Sequence, residues 1–152
     1  MLVEGTVETF DTAGVLSGRD GLPSELFMRD TPFTAVGEAT RALAENARPA
    51  MDGGTLVGLH ALTNTIADKI SYTAGATTTE TLAEEAVRSG SGVCQDHAHI
   101  FIAYARVLGI PARYVSGYIL AGQGNDSHVA SHAWAETSVP ELGWVSFDPS
   151  NR

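Results

Sequence analysis

The chain has 152 residues, 43% of them hydrophobic and 18% charged, enough for one domain with a real hydrophobic core. Nine Lys and Arg stand against 18 Asp and Glu, a net charge of −9 with no basic run, which argues against nucleic acid and anionic membrane as partners. The one cysteine, Cys94, excludes an intramolecular disulfide.

No stretch approaches the ~20 apolar residues of a membrane span. The opening MLVEGTVETF has neither the basic nor the apolar region of a signal peptide, so a cytoplasmic location is the default expectation.

Residues 1–10 alternate loosely and read as a strand. SGRDGLP and RDTPFT carry turn chemistry. TAVGEATRALAENA predicts a helix from about Thr34 to Ala47, stopped by Pro49 and MDGG. A second helix is expected over Leu56–Ile70, on a rough apolar stripe. TTTETLAEEAVRSG predicts a short helix with Thr79 as N-cap and Gly90 as stop. CQDHAHIFIAYARVLG is apolar on most sides after its first turn, which suits a helix buried in mid-domain and ended by Gly109 and Pro111. The period then changes. ARYVSGYILA reads as a strand, GQGNDS as a loop, and SHAWAETSV and GWVSFDP as two strands joined at PEL. Helices followed by an antiparallel set of strands give an α+β domain.

Cys94 falls where the buried helix begins, after Gly90 and Gly92. A thiol there meets the positive end of the helix dipole and unsatisfied N–H groups, which favour thiolate and can stabilise an oxyanion. A lone cysteine is also a common small core hydrophobe, so placement alone leaves both readings open.

A thiolate nucleophile needs a base, and the base needs an orienter. Among the five histidines, His97 and His99 share the cysteine's helix, His60 lies in another helix, and His128 lies in the GQGNDS loop region. His132 opens a strand. With the last turn centred near Pro140–Glu141, His132 falls beside Asp148 or Pro149 on the neighbouring strand. Cross-strand Cβ atoms lie ~5 Å apart, within reach of a His–Asp hydrogen bond that would fix the imidazole tautomer. A satisfied, half-buried histidine is the alternative for His132. Cys94, Asp96, His97, His99, His128 and His132 also contain ligand types for zinc, but the His128/His132 pair needs a helix and the segment reads as loop and strand.

GVCQDHAHIFIAYARVLGIPARYVSGY, SHAWAE and GWVSFDPSN together resemble the transglutaminase-like superfamily, in particular its bacterial cysteine-protease-like branch. ELFMRDTPFT and ISYTAGATTTETLAEEAVRSGSGVCQD fit as well, so the resemblance covers most of the chain. It implies a papain-like core: a helix bearing Cys packed on an antiparallel sheet bearing His and Asp. By position it makes Cys94 the nucleophile, His132 the base and Asp148 the orienter, the same assignment that spacing reaches. His97 departs from the aromatic residue usual in that branch. No Trp precedes Cys94 to hold an oxyanion, as one does in animal transglutaminases. Tyr72 is the nearest upstream aromatic and reads either as an oxyanion donor or as packing. Asp96 reads as support for the helix start, and Trp134 as a neighbour of the site.

The resemblance implies thiol acyl transfer to water, as in a protease or amidase, on a peptide or protein substrate. Transfer to an amine, a deglycosylating amidase and a non-catalytic interaction module are the alternatives. Members that serve as modules have lost the triad, and all three residue types are present here. No cofactor is expected, and no dense acidic loop points to calcium. Relatives usually carry a β-rich region before this core and more sequence after it, so residues 1–152 are expected to be one core domain of a longer protein. Asp148 then sits on a last strand that is expected to be weakly tied down.

Overall fold

A computed structural model describes residues 5–16, 21–121 and 128–152. The loop expected over GQGNDS and part of the turn in SGRDGLP lie outside the described residues. Strand β1 (Val15–Leu16) precedes three helices, α1 (Glu38–Ala47), α2 (Thr55–Lys69) and α3 (Ala83–Ser89). Two-residue strands β2 (Ser71–Tyr72) and β3 (Ser91–Gly92) flank α3 and pair parallel. Helix α4 (Cys94–Val107) follows, then β4 (Ala112–Ala121), β5 (His128–Val139) and β6 (Gly143–Phe147). The antiparallel sheet has the order β1-β6-β5-β4. This is the expected α+β arrangement.

Helix α4 is the centre of the core. Ile100, Phe101, Ile102, Ala103, Tyr104 and Ala105 are all within 1% of full burial. Small residues at positions 98, 103 and 105 let neighbouring elements approach closely, while Phe101 stacks on Phe147 of β6 at 5.2 Å. Leu59, Leu62 and Ile66 of α2, Ala44 and Ala47 of α1, and Ala83 and Ala86 of α3 close the helical side. Ala135, Val139, Val145 and Phe147 supply the sheet side.

Several elements differ from expectation. Residues 5–10 form no strand: Val7 and Phe10 are 84% and 77% exposed, so their alternation finds no partner. Pairing instead starts at Val15. Helix α1 begins at Glu38, because Pro32–Thr34 forms a separate 3-10 turn and Gly37 is extended. Its first N–H groups are capped from another helix, where the Glu84 carboxylate accepts Ala39 N–H at 3.0 Å and Thr40 N–H at 2.9 Å. Thr79 is not a cap. Thr78 N–H donates to Thr81 Oγ1 at 3.0 Å in a local turn, so α3 starts only at Ala83, with Glu85 accepting Leu82 N–H at 2.9 Å. His128 belongs to β5, opposite Ala121, and not to a loop.

The last hairpin turns through three residues, Pro140–Leu142, with Glu141 in the left-handed region at φ 68°. Ala135 therefore pairs with Phe147, one residue away from the expected register. Asp148 comes just past the paired strand and reaches diagonally to His132.

Candidate active site

The sequence GVCQD builds the start of α4. Val93 is extended, at φ −117° and ψ −174°, and Cys94 is the first helical residue, half-buried. Asp96 is buried to 1% exposure, and its Oδ2 accepts Val93 N–H at 2.8 Å and Thr77 Oγ1–H at 2.5 Å. That bond satisfies one of the orphan donors at the helix start and places Asp96 as structural support. Gly92 leaves room for it: a Cβ at 92 would lie 2.7 Å from the Asp96 Cβ.

His132 is 7% exposed and faces Gly117 across the β4–β5 ladder. Its Nε2 lies 2.6 Å from Asp148 Oδ2. An ionised carboxylate can only accept, so Nε2 carries the proton and Nδ1 is the ring nitrogen able to take one. Asp148 is held by two further donors, the Ser150 N–H on Oδ1 at 3.0 Å and the Asn151 amide on Oδ2 at 2.7 Å. Arg152 N–H returns to the Asp148 carbonyl at 3.0 Å, and the Arg152 guanidinium pairs with Asp68 of α2.

Tyr72 sits where these parts converge. Its hydroxyl is raised above the usual tyrosine range by burial, then by the neighbouring Cys94 thiol, with Asp148 contributing more weakly. Tyr72, Ile119, His132, Ser150 and Asn151 line a cleft of about 150 Å³. A larger groove of about 470 Å³, between Gly53–Val57 and Val139–Leu142, is lined by neither cysteine nor histidine.

Trp134 follows His132 on the same face of β5, its ring 6.1 Å from the imidazole and inclined at 26°. It lies over Gly117, where a Cβ would come within 2.7 Å of the indole.

Four contributors escape the sequence reading. Tyr114 of β4 has its hydroxyl raised by burial, then by Cys94 and Asp96, and its ring packs 5.0 Å from His99. Asn151 and Ser150 hold Asp148, and their place three and two residues after it in a turn-forming DPSN segment is the one available signal. His97 is buried, with Nδ1 3.0 Å from Ser150 Oγ and Nε2 3.0 Å from the Ile70 carbonyl. Among the described residues there is no group of three or more His, Cys, Asp or Glu side chains arranged to hold a metal.

Comparison with known proteins agrees with the fold. The core-domain model of the transglutaminase-like superfamily matches residues 41–149. An uncharacterised Mycobacterium tuberculosis protein is 35% identical over 142 residues, covering 86% of this chain and 45% of the relative. The periplasmic domain of TgpA from Pseudomonas aeruginosa superposes with a TM-score of 0.65 at 27% identity, over 84% of this chain and 48% of that one. A candidate cysteine protease from Cytophaga hutchinsonii gives a TM-score of 0.63 at 27% identity, over 83% of this chain and 41% of that one. A protein-glutamine gamma-glutamyltransferase of Pseudomonas aeruginosa is 39% identical over 70 residues, 40% of this chain and 10% of its own. The chain spans about half the length of the mycobacterial relative.

Proposed function

The chain belongs to the transglutaminase-like superfamily, and from that membership and its site we propose that it is a thiol acyl-transfer enzyme with Cys94 as nucleophile, His132 as base and Asp148 as orienter. The observation that carries this reading is the 2.6 Å bond between His132 and Asp148, on a cleft that Tyr72, Ser150 and Asn151 also line. The substrate class is a peptide or protein carboxamide.

His132 Nδ1 takes the Cys94 thiol proton, and Asp148 stabilises the resulting imidazolium. The thiolate attacks the carboxamide carbon, and the carbonyl electron pair moves onto oxygen. The N–H groups at the start of α4 and the Tyr72 hydroxyl are the donors for that oxyanion. Collapse of the intermediate breaks the C–N bond, and the imidazolium protonates the leaving amine. The thioester is then resolved by water, which gives up a proton to His132, releases the acid and restores the thiol.

Water is the acceptor proposed here, because it needs no site of its own. Amine transfer is the second reading, favoured by the similarity to the gamma-glutamyltransferase over the segment they share. A cytoplasmic home suits a single thiol, and so does a periplasm like that of the matched TgpA domain. Cell fractionation separates the two. Among the described residues no helix is long and apolar enough to cross a membrane.

The deciding experiment follows Cys94 alkylation by iodoacetamide against pH, in wild type and His132→Ala. An inflection below the ordinary thiol value of ~8.5, moved upward by the substitution, supports the reading. A thiol that reacts identically in both proteins, or only after unfolding, overturns it and leaves the non-catalytic module. Peptide carboxamides with and without added primary amine then assign the acceptor.

A further inference from the structure

His97 is an ionisable residue 1% exposed on the central helix, one turn beyond Cys94. Packing alone does not explain it, since an apolar ring of similar size would avoid the cost of burying two ring nitrogens. Both nitrogens are bonded. Nε2 faces the Ile70 carbonyl at 3.0 Å, and a carbonyl only accepts, so Nε2 holds the proton. Nδ1 then accepts from Ser150 Oγ–H at 3.0 Å. Ser150 in turn donates its backbone N–H to Asp148 Oδ1 at 3.0 Å, while Asp148 Oδ2 bonds to His132. The opposite bond fixes the segment that leads into Tyr72, whose ring stacks on His97 at 6.0 Å. One buried imidazole on the Cys94 helix therefore touches two further segments of the site, the Tyr72 strand and the Asp148 loop.

We infer that His97 is a positioning residue, which sets the Asp148 carboxylate against His132 by holding Ser150 from beneath. The role rests on the acyl-transfer reading. It acts through Asp148, whose orientation determines how well the imidazolium, and with it the Cys94 thiolate, is stabilised.

The test uses the same alkylation profile. Ser150→Ala deletes only the hydroxyl and keeps the backbone donor to Asp148. His97→Phe keeps the ring volume and deletes both bonds, and His97→Gln restores a donor and an acceptor. Ser150→Ala is expected to slow alkylation at neutral pH roughly fivefold, the worth of a single hydrogen bond, and to move the inflection upward. The Ser150→Ala/His97→Phe double variant is expected to be no slower than His97→Phe, and His97→Gln to recover part of the loss. A wild type with a His132-coupled inflection, beside a folded Ser150→Ala protein that titrates identically, overturns the positioning role alone. Should His97→Phe fail to fold, Ser150→Ala decides by itself. An uncoupled wild-type thiol removes the acyl-transfer reading, and the positioning role with it.

Discussion

The indole of Trp134 lies over Gly117, so closely that a single added methyl at 117 would sit 2.7 Å from the ring. Gly117 is also the residue opposite His132 in the ladder. The glycine thus provides the space that lets Trp134 lie flat beside the imidazole. Gly117→Ala is expected to push the indole aside and to cost about 1–3 kcal/mol, as overpacking does. Urea melts measure the cost. Cys94 alkylation measures the displacement, since a displaced Trp134 shifts His132 and slows the thiol.

Asp148→Asn keeps the shape of the orienter and changes its chemistry. An amide can present its N–H₂ to His132 Nε2 and so favour the wrong tautomer, and it no longer stabilises an imidazolium. The expected fall in acyl transfer is about 10²- to 10⁴-fold, with folding intact because the backbone bond from Arg152 to the carbonyl of residue 148 and the Arg152–Asp68 pair remain. Turnover of a carboxamide substrate, once identified, compared with the melting temperature of the same variant, checks both halves.

Glu84 makes stability pH-dependent. Burial alone would raise its carboxyl, but bonds from Thr40 and Ala39, aided by Arg88, outweigh burial and hold it at about 2, against 4.5 for the free group. A depressed carboxylate contributes fully above its unfolded value, and the contribution disappears as pH falls from about 4.5 towards about 2. The shift corresponds to about 3 kcal/mol at neutral pH as an upper figure. Glu84→Gln is expected to lose much of that at pH 7 and to flatten the acid limb. Urea midpoints at pH 7 and pH 3 read it directly, and equal slopes for variant and wild type would remove the assignment.

Tyr104 offers the opposite expectation. Its hydroxyl is buried with no hydrogen-bond partner among the described residues, and burial raises it far above the usual range. Tyr104→Phe removes an unsatisfied polar atom and should leave stability unchanged or up to about 1 kcal/mol higher. A melting temperature several degrees lower would show that the hydroxyl has a role that its surroundings do not display.

The sequence made α4 and β4–β6 legible because their periods are strong and Gly, Pro and Asn punctuate them. The His132–Asp148 pair could be read from strand pairing and one turn, while Cys94 as nucleophile rested on its place at a helix start and on the family resemblance. The turn itself was off by one residue, since nothing local announces that Glu141 would adopt a left-handed backbone. The cap on α1 was hidden for a different reason: its carboxylate comes from Glu84, 44 positions away from Thr40. In the sequence His97 showed only as a residue of the cysteine's helix and as a departure from the family's aromatic residue. Its partner Ser150 lies 53 positions on, so the bond exists only in the folded chain. Pattern reading sees neighbours along an element. It does not see which distant polar atom will end up facing a buried ring.

Strand β6 lies between β1 and β5, so the sheet has an empty slot until the last strand arrives. During synthesis the ribosome delivers Cys94 and its helix well before Phe147 and Asp148. On the proposed assignment, a nascent chain therefore carries a thiol whose imidazole has no carboxylate to orient it. The same insertion of β6 that fills the sheet would supply the orienter, so a chain stalled before β6 would carry an ordinary, slow cysteine.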